Sequence, residues 1–315
     1  MIDCYYRRLG ADGDLQRFES TVGTGSNWDE SIQHGSPPLA LLTKAIEELA
    51  AGSGMQVGRL TLDILGAIPV APVAVRVWVS RPGSRICMMT AEMTAAQRDG
   101  SERAVARMSA WLLAVTDTRD AVLDRYPPMP RVPDTGFRHH WQGRPGYLET
   151  VTWVPRPDDA NASVVWMRPL ISLVDDEKTT DLQQLAMVVD SANGVGAALD
   201  PNEFMFMNTD TVVHLHRLPA GEDFAVRARG SIGPDGIGAT TAPETPRLTG
   251  DDTTGIYDRL VQVLEARGWT IIRGETRHHA IDGTTTWGKD GTRTVTVRTD
   301  FDDAHEGAHG VELVH

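Results

Sequence analysis

Residues 179–201, TTDLQQLAMVVDSANGVGAALDP, decide how the rest of the chain is read. Leu182, Leu185, Val189, Ala192 and Gly196 recur at helical spacing, which predicts one long helix over this stretch. Thr180 is suited to cap its start, and Asp181 favours the positive end of the helix dipole. One carboxylate, Asp190, lies in the middle of the stretch among apolar and small residues, with Asp181 and Asp200 near its ends. It lies one position from the apolar stripe, about 100° around the helix from Val189. That places it at the edge of a buried groove, with Ser191, Ala192, Gly194 and Gly196 small enough to admit a substrate or a neighbouring strand. Asn193 adds a hydrogen-bond donor.

The segments around this helix read as strands. Residues 147–157 and 162–171 precede it; 204–219, 222–232 and 236–242 follow it, with a turn at Pro234, Asp235 and Gly236. The same order of elements occurs earlier. Residues 2–9 and 15–24 read as strands, then HGSPPLALLTKAIEELAAG predicts a helix over 37–50. Ser36 is a candidate N-cap, and Pro37 and Pro38 fit the first turn, where a missing N–H costs nothing. Leu39, Leu42, Ile46 and Leu49 form the stripe, with Lys44, Glu47 and Glu48 off it. Strands follow at 59–65, 73–82 and 84–97. Residues 102–114 have the composition of a helix but follow a turn at Asp99 and Gly100, which favours a strand. The chain thus divides into a first half (1–116), a proline-rich linker (117–146), a second half (147–246) and a small α+β extension (247–315). The two halves repeat elements rather than residues. The extension reads as a helix over 256–267 and strands at 269–281 and 284–301.

Composition narrows the function. With 315 residues the chain can bury a large core. A formal charge of −13 and no basic run argue against a nucleic-acid partner. They leave room for a local basic lip facing an anionic substrate. Cys4 and Cys87 form no zinc or redox spacing. No run approaches the ~18 apolar residues of a membrane span, and the N-terminus has no secretory layout. The expectation is a cytoplasmic protein.

A helix wrapped by antiparallel strands, twice in one chain, resembles the double hotdog fold. HGSPPLALLTKAI, and then VVDSANGVGAALDP, FMNTDTVVHLHRLP and GSIGPDGIGATTA in that order, are similar to TesB-like acyl-CoA thioesterases of the actinobacterial type over roughly residues 1–242. The resemblance implies hydrolysis of acyl-CoA to fatty acid and coenzyme A, with water activated by a carboxylate at Asp190. It implies no cofactor and allows a homo-oligomer. It also implies a Ser or Thr on a following strand, for which Ser231 is the approximate match, and a Gln on a last strand that has no recognisable counterpart here. For His34 and Gly35, before the first helix, the resemblance implies backbone positioning near the substrate, and Asn193 and Gly194 on the second helix are further substrate-binding candidates. The rival reading is a non-catalytic acyl-CoA-binding or scaffold protein that lacks its last catalytic strand.

Other polar clusters carry less. Asp210, Val212, His214 and His216 share one strand face by the period of two. Without a further ligand at diagnostic spacing they suit a polar outer face better than a metal site. His139, His140, His278 and His279 lie in polar segments. Trp78, Trp153, Trp166, Met88 and Met205 alternate within strands, as core residues do.

Overall fold

The computed structural model describes residues 2–97, 100–123, 146–156, 163–197 and 199–242, together with four strands further on. The chain forms two compact units, residues 1–244 and 245–315.

In the first unit, β1 (Cys4–Asp12) and β2 (Leu15–Ser20) lead to α1 (Ser36–Ala50). Then come β3 (Met55–Ile64), β4 (Pro72–Arg81), β5 (Ile86–Ala96) and β6 (Glu102–Ala114). Residues 102–114 are therefore a strand: every second residue from Ala106 to Leu112 turns inward between β3 and β5, so tertiary pairing overrides helical composition. After a short 3-10 turn at Tyr147–Glu149 come β7 (Val151–Arg156), β8 (Ser163–Pro169), β9 (Ser172–Val174), α2 (Asp181–Val189) and α3 (Ala192–Val195). The unit ends with β10 (Asp210–His214), β11 (Phe224–Ile232) and β12 (Gly238–Thr241).

The strands make an eight-stranded sheet in the order β10-β3-β6-β5-β4-β2-β1-β9 and a four-stranded sheet in the order β12-β11-β8-β7. β9 and β10, which flank the second helix in sequence, close the two edges of the sheet built by the first half of the chain. β9 pairs in parallel with β1, and β10 pairs antiparallel to β3. α1 packs on β3, β4, β5 and β6, and α2 packs on α1, β8, β9 and β11. Tyr5, Tyr6, Phe18, Leu42, Leu62 and Met108 are among the large side chains fully buried between these layers.

Both helices differ from the sequence expectation. The N-cap of α1 is Gly35, not Ser36, and every residue from Ser36 to Ile46 is buried. Lys44 is not on a wet face. It is enclosed with its ammonium between Glu48 (2.7 Å) and Glu177 (2.5 Å), and Arg8 joins the same cluster through Glu177 at 2.7 Å. Burial opposes the Lys44 charge, but the hydrogen bonds to Glu177 and Glu48 outweigh it and hold the pKa above its ordinary value. The stretch 179–201 is two helices instead of one. α2 ends at Val189 with Asp190 as its C-cap, and α3 has only four residues. Two contacts account for the break. The Tyr147 hydroxyl donates to the Met187 carbonyl at 2.9 Å and bonds the Ser191 hydroxyl at 2.7 Å. Beyond α3, the Gly196 carbonyl accepts the Gly230 N–H of β11 at 2.7 Å, an approach that a Cβ on either glycine would obstruct.

Thr180 does cap α2, in a full capping box with Gln183. Glu47 of α1 completes it, accepting from Thr180 Oγ1 at 2.8 Å and from Gln183 Nε2 at 2.7 Å. The last turn of α1 thus meets the first turn of α2, and the helices run antiparallel. Glu47→Ala leaves the buried Gln183 amide without this acceptor. It is expected to cost about 1.5–3 kcal/mol in urea unfolding, with kcat retained because the contact lies at the far end of both helices from Asp190.

The second unit contains β13 (Thr270–Glu275), β14 (Gly283–Trp287), β15 (Arg293–Val297) and β16 (His309–Val314). They form one antiparallel sheet in the order β13-β16-β15-β14. The expected strands at 269–281 and 284–301 correspond to β13 and to the β14–β15 hairpin. β16 has no counterpart among the strands expected from the sequence. The helix expected at 256–267, most of the linker 117–146 and the four histidines at 139, 140, 278 and 279 lie outside the described residues. Among the described residues no helix is long and apolar enough to cross a membrane, and no cluster of His, Cys, Asp and Glu could hold a metal ion.

Candidate active site

The start of α1 and the end of α2 meet because the helices are antiparallel, and the site lies at that meeting point. The loop into α1 is held from several sides. The His34 N–H donates to the Thr24 carbonyl at 2.8 Å, and Gln33 N–H donates to the Ile68 carbonyl at 2.7 Å. Gln33 is further held by the Tyr6 hydroxyl (2.6 Å) and by its own amide donating to the Pro69 carbonyl (2.7 Å). The His34 ring lies flat on Tyr147, with ring centres 3.8 Å apart and planes 9° from parallel. Its Nδ1 accepts the Ser36 N–H at 3.1 Å, which puts the hydrogen of the neutral ring on Nε2. Burial lowers the His34 pKa, and the nearby Asp190 opposes that shift without overcoming it. Burial likewise raises the Tyr147 hydroxyl well above its ordinary value.

Asp190 is 4 % exposed, so it is inside the protein rather than at the rim of a groove as its helical position suggested. Its Oδ1 accepts from Thr211 Oγ1 at 2.5 Å and from Asn208 Nδ2 at 2.7 Å. Asn208 Nδ2 also lies 3.1 Å from Thr211 Oγ1. Oδ2 faces the other way, toward Gly35 and the His34 ring, with His34 Nδ1 at 3.9 Å. Because Nδ1 already accepts a hydrogen bond, this contact is not an ion pair. Gly35 is required by space. A Cβ there would fall 2.8 Å from Asp190 Cγ and closer still to Oδ2.

These groups form one wall of a cavity of about 740 Å³, within the usual range for small-molecule sites. Trp28, Ile68, Leu148, Trp153, Val165 and Phe206 supply apolar surface, and Trp28 meets Phe206 edge-on at 5.2 Å. Asp190 is the one carboxylate among the described residues lining it.

The structure brings together five of the six residues singled out in the sequence. His34, Gly35, Asp190, Asn193 and Gly194 all line the cavity. Ser231 does not reach it. It sits exposed near the end of β11, paired with Ala239 of β12. The hydroxyl that meets Asp190 belongs to Thr211 on β10. The period of two could have identified it, because the alternation that turns Asp210, Val212 and His214 outward turns Thr211 and Val213 inward. Asn208 and Tyr147 carried no such signal, the first lying in a loop and the second at the start of the second half. Thr240 is placed next to the site, with Oγ1 3.4 Å from Asn193 Oδ1.

Comparison with known proteins gives the class to which this fold belongs. The description of the acyl-CoA thioesterase N-terminal domain matches residues 24–113, and that of the C-terminal domain matches residues 116–243. The chain belongs to the acyl-CoA thioesterase family and is a thioester hydrolase. No curated protein matches it significantly. Among solved structures, a thioesterase candidate from Novosphingobium aromaticivorans is 14% identical, covering 98% of this chain and 97% of its own, with a TM-score of 0.51. A conserved protein with a hot dog fold from Alicyclobacillus acidocaldarius is 14% identical, covering 97% and 94%, with a TM-score of 0.50. The fold of this chain is a hotdog.

Proposed function

We propose that the chain hydrolyses fatty or related acyl-CoA thioesters, with Asp190 as the base that activates or orients the attacking water. The observation that carries this reading is the asymmetry of the Asp190 carboxylate. Two side-chain donors fix Oδ1, and Oδ2 faces the start of α1 on the cavity wall. A water held at Oδ2 gives its proton to the carboxylate as its oxygen attacks the thioester carbonyl. The tetrahedral adduct collapses with cleavage of the C–S bond, and the sulfur leaves as coenzyme A, taking up the proton. Apolar surface from Trp28, Trp153 and Phe206 suits an acyl chain, and His34, Gly35, Asn193 and Gly194 line the thioester end.

The same reading assigns a double hotdog. Residues 1–116 and 147–246 are its halves, with α1 and α2 as antiparallel central helices, and the second unit is an appended domain. The exchange of edge strands β9 and β10 onto the first half's sheet supports this, as do the separate family matches to each half.

Thr211 and Asn208 hold the carboxylate rather than perform the chemistry. Thr211→Val removes the shorter of the two bonds and is expected to lower kcat about 10- to 100-fold, since small misplacements of a reacting group have effects of that size. KM should change little.

The reading is tested by CoA release from acyl-CoA esters of increasing chain length, followed with a thiol reagent. Catalytic release from at least part of the series is expected. Binding of acyl-CoA without release at any length would instead identify an acyl-binding protein.

A further inference from the structure

We propose that His34 contributes to hydrolysis as a hydrogen-bond donor, its Nε2–H polarising the thioester carbonyl while Asp190 directs the water. This inference rests on the thioesterase reading of the same cavity.

Four observations converge on it. First, Nδ1 is committed as an acceptor to the Ser36 N–H at 3.1 Å, which fixes the tautomer with hydrogen on Nε2. Second, the ring cannot turn freely. It is stacked on Tyr147 at 3.8 Å, and Tyr147 is itself anchored through its hydroxyl to Met187 of α2 and to Ser191, on either side of Asp190 in the chain. Third, Nε2 has no protein partner among the described residues, although His34 lines the cavity and its side chain is 15 % accessible. Fourth, the ring stands beside the reacting carboxylate, with Nδ1 3.9 Å from Asp190 Oδ2. Nε2–H is therefore a donor left open toward the cavity, and a thioester oxygen there is an acceptor for it.

The placement solves an electrostatic problem. As water attacks, negative charge develops on the carbonyl oxygen near a carboxylate that is already anionic. A donor fixed in advance, in a site sheltered from water, stabilises that charge without reorganisation. A neutral imidazole does this without forming an ion pair with the base, which would tie up the oxygen needed for water. Tyr147 is then a positioning residue, because it sets the plane of the donor ring and the end of the helix that carries the base.

The test compares three substitutions in the full chain by kcat and KM for one acyl-CoA, together with thermal midpoints. His34→Phe keeps the stack on Tyr147 and removes the donor. His34→Asn keeps an amide where Nδ1 lies but has none at Nε2, and His34→Gln carries an amide N–H near the Nε2 position. Phe and Asn are expected to lose about 10²- to 10³-fold in kcat, the usual effect of deleting one oxyanion donor, with KM changed by less than about threefold. Gln is expected to recover at least about tenfold over Asn. The Asn–Gln pair decides the matter even if the Phe variant fails to fold. Equal losses for Asn and Gln, a loss confined to KM, or a Phe or Asn variant with wild-type kcat would each overturn the donor role. Wild-type protein that releases no CoA would instead overturn the thioesterase reading, and this inference with it.

Discussion

Asp190→Asn is expected to lower kcat for CoA release by about 10²- to 10⁴-fold, the range for loss of a general base. The substitution is nearly isosteric, and an amide oxygen can still accept from Thr211 and Asn208, the two donors now on Oδ1. What changes is the opposite side of the group. The amide nitrogen then faces Gly35 and the His34 ring, where the account requires an acceptor for a water proton. The fold should therefore survive, with a thermal midpoint near that of the wild type, while the chemistry fails. In free energy the loss corresponds to about 3–5 kcal/mol of transition-state stabilisation. Steady-state CoA release with a parallel melting curve checks both parts. An Asn variant within about threefold of wild type would remove Asp190 from the reaction.

Gly35→Ala is expected to damage stability and activity together, for a reason that backbone conformation does not supply. Gly35 has φ −67° and ψ −24°, an ordinary right-handed geometry that alanine adopts freely. Helical preference alone would make the substitution neutral or favourable. The obstacle is the Asp190 carboxylate, with its Cγ 2.8 Å from the new methyl and Oδ2 closer still. Neither side yields easily, because Pro37 and Pro38 stiffen the first turn of α1 and the Asp190 oxygen is tethered to β10 through Thr211. Overpacking of this kind costs about 1–3 kcal/mol. The accompanying shift of the carboxylate should reduce kcat about 100-fold. Urea unfolding and CoA release on the same preparation measure the two effects, and a wild-type kcat would show that Oδ2 has no fixed task.

Much of the fold could be read from local pattern. The strand at 102–114 was recognised against its composition because a turn preceded it, and the apolar spacing of α1 was sufficient to place that helix. The features that escaped are tertiary in origin. Lys44 reads as a solvent-facing residue on its own helix, and only Glu177, distant in sequence, explains its burial. The break after Val189 has no local cause in a sequence that looks continuously helical. It depends on a tyrosine 43 residues before Asp190 in the chain and on a strand, β11, that follows it. The site shows the same division. Asp190 is a local signal, a carboxylate among small residues, whereas His34 and Gly35 are marked only by the family resemblance of the segment that opens α1. Thr211 was overshadowed by its outward-facing neighbours Asp210 and His214, and Ser231, chosen by similarity of spacing, lies on a strand whose end turns away from the cavity.

In the proposed reaction Asp190 acts on a water and not on the substrate carbon. A single turnover in ¹⁸O-enriched water, with enzyme in excess over acyl-CoA, tests it directly. The account predicts that the label appears in the released fatty acid and that the peptide containing Asp190 keeps its normal mass. Label in the Asp190 peptide, with an unlabelled acid product, would mean that the carboxylate forms an anhydride with the acyl group, and would contradict the account.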